Sequence, residues 1–179
     1  MDQLVAHQRA QDALAAVLGG VAPDQLAAPT PCTGWTVRDV VEHVIARNHW
    51  VAGTAAPEVA DPADLAPALA TSARAAQQAF AAPDGLTRMM DMPFGPVPGA
   101  VVVGMRTTDA LVHAWDVARA TGQPTDIEPE LAEASLAAAR TRIGPDLRGP
   151  GRPFAEEQPC DAGRPAADRL AAFLGRSVG

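Results

Sequence analysis

An aspartate and a histidine stand four residues apart, at Asp109 and His113, in a stretch whose apolar spacing predicts a long helix. At that spacing both side chains leave the same face of a helix, so a carboxylate oxygen and an imidazole nitrogen can meet one ion. His43 occupies the corresponding edge of a valine stripe in an earlier predicted helix. Imidazole and carboxylate groups are ligands of zinc and related ions. His43, Asp109 and His113 are therefore candidate ligands of one divalent metal ion.

The same pattern allows simpler interpretations. An Asp/His pair at this spacing is often a solvated ion pair, and a histidine beside an apolar stripe is often only hydrogen-bonded. By a count of about 100° per residue, Arg106 and Asp116 lie on the same flank of the long helix as the candidate ligands. A polar row of this kind beside an apolar face is where we expect a partly enclosed site.

The other histidines and two of the tryptophans are assigned to different places. We expect His7 and His49 on the surface, because the first lies near the chain terminus and the second points away from the valine stripe. Trp115 follows His113 by two residues, about 200° around the helix, which predicts a place in the core. Trp35 is expected to anchor the turn that precedes the second helix.

Apolar periodicity predicts helices that could position these residues. They cover residues 3–18, the stretch from an N-cap at Thr36 to about residue 51, about 62 to 82, 100–121, 129–143 and 166–174. The Met- and Pro-rich segment 85–99 is predicted to be an irregular crossover that covers one end of the bundle. We therefore expect one all-α domain over residues 1–179, a helical bundle with a long crossover loop and a short C-terminal helix.

Composition excludes several classes of function. A formal net charge of −7 disfavours nucleic acid as a partner, since binding to phosphates needs basic patches. There is no targeting pattern and no apolar run near the roughly 18 residues that span a membrane, so we expect a soluble cytoplasmic protein without a membrane partner. Cys32 and Cys160 are expected to be free thiols of open role. The glycine, dithiol and nucleophile motifs of nucleotide-binding, redox and esterase proteins do not occur.

Several segments resemble a known family. Residues 31–43, P-C-T-G-W-T-V-R-D-V-V-E-H, are similar to the P-C-x-G-W-x-V-x-D-[LV]-x-x-H signature of the DinB-like superfamily. The segments 92–99 and 109–122 continue the similarity, which extends over essentially the whole chain. The branch it resembles most is related to the N-terminal domain of mycothiol-dependent maleylpyruvate isomerase.

The resemblance implies an up-down-down-up four-helix bundle whose metal ion is held by His43, Asp109 and His113. The isomerase-like pattern has glutamate where this chain has Asp109, and other members have histidine, so the preference among zinc, nickel and other divalent ions is open. The resemblance does not extend to the isomerase's second, C-terminal domain, and we therefore do not expect maleylpyruvate isomerisation itself.

Two imidazoles and one carboxylate around a divalent ion leave a charge of about +1 and an open position, as in catalytic zinc sites. A thiol bound there would be deprotonated, which favours a metal-dependent transferase that uses a low-molecular-weight, mycothiol-type thiol. A metal-dependent hydrolase and a metal-stabilised binding module without turnover remain alternatives. We expect a small-molecule thiol or electrophile as the partner. The sequence leaves the substrate, the catalytic residues and a homodimer open.

Overall fold

The computed structural model describes residues 1–152 and 154–179. In this part of the chain, six α-helices and one short hairpin form a bundle, which confirms the all-α prediction. The elements are α1 Gln3–Gly19, α2 Val37–Ala52, α3 Leu65–Ala81, β1 Met89–Met92, β2 Gly95–Pro98, α4 Gly99–Thr121, α5 Pro129–Arg142 and α6 Ala166–Phe173. Among the helices described, none is long and apolar enough to cross a membrane.

The first four helices form an up-down-down-up bundle. Leu4 at the start of α1 packs in the same apolar cluster as Val102 and Val103 near the start of α4, and the Gln123 side chain just after α4 binds Val17 O near the end of α1, so these helices are parallel. Helices α2 and α3 both run the opposite way, since their last turns lie against the first turns of α4.

The long crossover lies elsewhere than the sequence predicted. Because α2 and α3 are parallel, the segment that joins them, residues 53–64, has to return along the bundle, and it ends in a 3-10 turn at Pro62–Asp64. Segment 85–99 connects the antiparallel helices α3 and α4 and needs no such return. The predicted irregular crossover at 85–99 is therefore wrong.

Segment 85–99 contains a hairpin instead. Strands β1 and β2 pair antiparallel, with Met89 opposite Pro98 and Met92 opposite Gly95. Met90 turns inward and packs with Phe80 and Val102, so the hairpin closes one end of the bundle. Each strand has only four residues and β2 contains two prolines. For this reason neither the apolar periodicity nor the composition of the segment indicated a hairpin.

Helix α4 lies at the centre of the molecule. Helices α1, α2, α5 and α6 all contact it, and every residue from 110 to 118 is buried. In the first turn of α4, by contrast, Val101 is exposed. Trp115 is in the core as predicted, and its indole Nε1 donates a hydrogen bond to Asp168 of α6 at 2.7 Å.

Thr36 is the N-cap of α2, as predicted, and it forms a capping box with Asp39. The Thr36 hydroxyl accepts from Asp39 N at 3.2 Å, and the Asp39 carboxylate accepts from Thr36 N at 2.8 Å. These bonds satisfy backbone donors that the first helical turn leaves free. They also fix the position at which the helix starts, and with it the direction in which His43 points.

The prediction that His7 lies on the surface is wrong. His7 is completely buried, and its Nδ1 lies 2.8 Å from Gln77 Oε1 of α3. A buried polar network continues from its ring through Gln11 to Asn48 and Ser72, which are also buried. The hydrogen bonds of this network join α1, α2 and α3 and satisfy the buried polar groups. The position of His7 in the core depends on these contacts between helices, which the apolar periodicity of a single helix does not reveal.

Candidate metal centre

Helices α2 and α4 run antiparallel, and the three candidate ligands converge in the space between them. His43 projects from the second turn of α2, while Asp109 and His113 project from successive turns of α4. One donor atom from each side chain lies within 4.8 Å of the other two. The side chains of His43 and Asp109 are each 22% exposed and that of His113 is 5% exposed. The cluster is thus partly enclosed and open on one side.

The separations between these donor atoms are unusual for a hydrogen-bonded cluster. His43 Nε2 lies 3.6 Å from Asp109 Oδ2, and His113 Nε2 lies 3.7 Å from Asp109 Oδ1. Hydrogen bonds between such groups are typically about 2.7–2.9 Å long. Both imidazoles therefore point at the carboxylate and stop short of bonding to it, which leaves room among the three groups.

Asp109 carries the negative charge of the cluster. Burial alone would raise the pKa of its carboxyl, but the Arg106 guanidinium, His113 and His43 outweigh burial and hold the pKa well below its usual range. Arg106 Nη1 donates to Asp109 Oδ2 at 3.1 Å from one turn earlier on α4. This contact fixes the carboxylate in its ionised form and in its orientation toward the two imidazoles.

His113 is held from behind by a second carboxylate. Its Nδ1 lies 3.0 Å from Asp116 Oδ2, and Asp116 is completely buried. Since an ionised carboxylate can only accept, His113 Nδ1 is the donor, and Nε2 is the ring nitrogen that faces Asp109 and His43. Asp116 was expected on the polar flank of α4. It lies there as a buried partner of His113.

The Trp35 indole forms one wall of the cluster. It stacks on the His113 ring at a centroid distance of 5.9 Å and tilts against the His43 ring at 4.7 Å. Trp35 also anchors its turn as expected, since its side chain packs against the main core and its backbone N donates to Cys32 O at 3.0 Å. The contact with both imidazoles was not predicted. The position of Trp35 in the same sequence signature as His43 is the one sequence feature that could have indicated this contact.

Cys32 brings a thiol to the edge of the cluster. Its sulfur, a His113 nitrogen and an Asp116 oxygen also lie within 4.8 Å of one another. Burial raises the pKa of the Cys32 thiol, which the nearby Arg176 partly offsets. Cys32 and Cys160 are both free thiols, as predicted. The closeness of Cys32 to His113 was not predicted, because the fold alone brings the turn and α4 together.

His49 lies outside the cluster. It is half-buried, and its Nδ1 lies 2.8 Å from the Thr54 hydroxyl at the end of α2. It therefore helps to end the helix, away from the three candidate ligands.

Comparisons with known proteins found a matching family model and two similar proteins. Residues 7–92 match the family model described as the mycothiol maleylpyruvate isomerase N-terminal domain, a range that includes His43 and ends before α4. Two uncharacterized proteins, from two strains of Mycobacterium tuberculosis, are each 55% identical to this chain over 181 residues. The alignments cover 99% of this chain and 100% of each relative. No solved structure matches the chain.

Proposed function

Because the chain belongs to the mycothiol maleylpyruvate isomerase N-terminal domain family, we propose that it binds one divalent metal ion and uses it to transfer a low-molecular-weight thiol to an electrophile. His43, Asp109 and His113 are the proposed ligands. Zinc is the first candidate ion, with nickel or another divalent ion as the alternative. A mycothiol-type thiol is the proposed co-substrate, in keeping with the name of the family.

The observation that carries the metal proposal is the spacing of the donor atoms. Ligands about 2.0–2.1 Å from a tetrahedral zinc ion are about 3.3 Å apart. The two imidazole-to-carboxylate separations, 3.6 and 3.7 Å, are within a few tenths of an ångström of that value and too long for hydrogen bonds. One donor atom from each of the three side chains lies within 4.8 Å of the other two, so rotation of the side chains would bring them to a common metal ion.

The groups around the cluster support an open, catalytic kind of site. Three protein ligands leave at least one coordination position free, unlike the four of structural zinc sites. A bound divalent ion would lower the pKa of a thiol that occupies the free position, which yields the nucleophilic thiolate. Asp109 offsets part of the charge of the ion, Arg106 orients Asp109, and Trp35 shields both imidazoles from water on one side.

A cobalt-substituted protein tests the proposed thiol chemistry. Addition of a small thiol should change the visible spectrum of the cobalt protein and produce a sulfur-to-cobalt charge-transfer band. Cys32→Ser should retain this response, because the added thiol and not the protein's own thiol supplies the sulfur. A spectrum that thiol leaves unchanged while the protein hydrolyses a substrate would favour the metal hydrolase. The absence of both a spectral change and hydrolysis would favour a binding module without turnover.

A further inference from the structure

On the side that faces away from the candidate ligands, His113 is hydrogen-bonded to Asp116, which is in turn bonded to Arg176. Asp116 Oδ2 accepts from His113 Nδ1 at 3.0 Å and from Arg176 Nη2 at 3.0 Å, while Asp116 Oδ1 accepts from Arg176 Nε at 3.2 Å. Asp116 is fully buried and the Arg176 side chain is 15% exposed. Both carboxylate oxygens thus have charged or polar partners, and Asp116 joins α4 to the C-terminal segment.

The C-terminal segment holds Arg176 in place from several directions. Arg176 Nη1 donates to Leu174 O at 3.0 Å, and its backbone N donates to Ala171 O at 3.0 Å. Gly175 has φ +93°, a conformation that other residues rarely adopt, and a Cβ there would lie 2.6 Å from Ala155 Cβ. The chain can therefore turn after α6 and aim the guanidinium at Asp116.

We propose that Asp116 and Arg176 are positioning residues that fix the tautomer and orientation of His113 for metal binding. This inference rests on the proposed metal site. A carboxylate that accepts from the far nitrogen of a metal-binding histidine presents the other nitrogen to the ion and makes it a better donor, and loss of such a partner typically weakens metal binding 10–100-fold. Arg176 bonds to both oxygens of Asp116 and holds the carboxylate toward His113, so the C-terminal segment should contribute to metal retention.

The second donor set, Cys32, His113 and Asp116, offers a different role for the same carboxylate. In that arrangement Asp116 and Cys32 would bind the ion directly. The carboxylate is already engaged at both oxygens by Arg176 and His113, and metal binding there would have to displace the Arg176 guanidinium. We therefore assign Asp116 to support of His113. Direct ligation by Cys32 becomes an outcome of the test.

The test compares zinc affinity by chelator competition in the wild type and in matched variants. Arg176→Met and Asp116→Asn should each weaken binding about 10–100-fold. Arg176→Lys, which keeps the charge, should recover part of the loss. Arg169→Met removes an arginine of α6 that pairs with Glu133 on the surface and should leave affinity unchanged. Cys32→Ser should also leave it unchanged, and a large loss in that variant would overturn the assignment of Asp116.

The nitrogen-15 NMR spectrum of His113 gives a readout that does not require metal and that a merely structural contact would not move. At mildly alkaline pH the metal-free wild type should show the Nδ1–H tautomer, and Arg176→Met should show a mixture of the two tautomers. Unchanged zinc affinity and an unchanged tautomer in Arg176→Met, in a wild type that binds zinc, would overturn this inference alone. A wild-type protein that binds no zinc would overturn the proposed function. If the metal-free wild type also showed the Nε2–H tautomer of His113, the inference about Asp116 and Arg176 would be overturned as well.

Discussion

Asp109 occupies the centre of the candidate site and faces both imidazoles. Its side chain is one carbon shorter than the glutamate of the isomerase-like pattern, yet its oxygens lie 3.6 and 3.7 Å from His43 and His113. The Asp109 carboxylate therefore faces both imidazoles even with this shorter side chain. Arg106 bonds to the oxygen that faces His43, so the carboxylate has little freedom to turn away.

Asp109→Asn tests the contribution of this carboxylate. The substitution keeps the shape but raises the charge of the occupied site from about +1 to about +2. We expect zinc to leave the variant for a mild chelator at least 10–100 times more readily than it leaves the wild type, since losses even beyond the ligand shell reach that size. Asp91→Asn, at an exposed acid of β1, is the matched control and should retain zinc normally. Equal retention in the two variants would remove Asp109 from the ligand set.

The sequence predicted the three candidate ligands but not the residues around them. The spacing of Asp109 and His113 placed them on one helix face, the edge of the valine stripe indicated His43, and the resemblance implied that all three bind one ion. Trp35 and Cys32 lie on a turn, and Arg176 follows α6, so only the packed fold brings them to His113. Periodicity describes one element at a time and cannot indicate a contact that joins residues 60 positions apart.

At the scale of single helices, the start of α2 is important because it positions His43. Thr36→Ala removes the hydroxyl that accepts from Asp39 N and also donates to the Asp39 carboxylate at 2.6 Å. We expect a loss of about 1 kcal/mol in the free energy of unfolding, measured by chemical denaturation. Thr141→Ala, at an exposed threonine near the end of α5, should change it by less than about 0.5 kcal/mol. A loss of the same size in both variants would contradict the role of the cap.

His7 should make the packing of α1 against α3 sensitive to acid. Burial lowers the pKa of His7 below its usual 6.5, an effect that Arg106 reinforces and that the hydrogen bond to Gln77 partly offsets. The unfolded chain therefore binds this proton at a higher pH than the folded chain does. The stabilising contribution is complete above about pH 6.5 and is lost as the pH falls through the lowered pKa.

Denaturation curves at several pH values test this linkage. Below about pH 6.5 the free energy of unfolding of the wild type should fall more steeply than that of His7→Gln, by up to about 1.4 kcal/mol per pH unit. His49→Gln, which removes the histidine at the end of α2, should keep the pH dependence of the wild type. Parallel curves for the wild type and His7→Gln would show that another group is responsible.

The helices were predictable to within a few residues, and their connections were not. Apolar spacing and Gly or Pro stop signals indicated α1 to α6, including the start of α2 at its capping box. The parallel arrangement of α2 and α3 came only from the resemblance, because helix directions depend on contacts between elements. Consequently the crossover was assigned to 85–99, where the chain forms a hairpin, and not to 53–64.

At the scale of the whole molecule, the bundle provides a rigid frame around a small polar site. The main core includes most of the second half of α4, while the polar network of His7, Gln11 and Asn48 joins α1 to α2. The C-terminal segment then returns to α4 through Arg176 and Asp116. One of the three candidate ligands, His113, is therefore held through Asp116 by the C-terminal segment.

A calorimetric titration of the metal-free protein with zinc tests the metal site most directly. We predict one zinc ion bound per chain in the wild type. Binding should stabilise the fold, by about 2.7 kcal/mol when free zinc is 100 times its dissociation constant. The double variant His43→Gln/His113→Gln should lose this binding while it keeps the helical circular dichroism of the wild type. A wild type without stoichiometric zinc binding, or a double variant that binds as the wild type does, would contradict the metal centre at His43, Asp109 and His113.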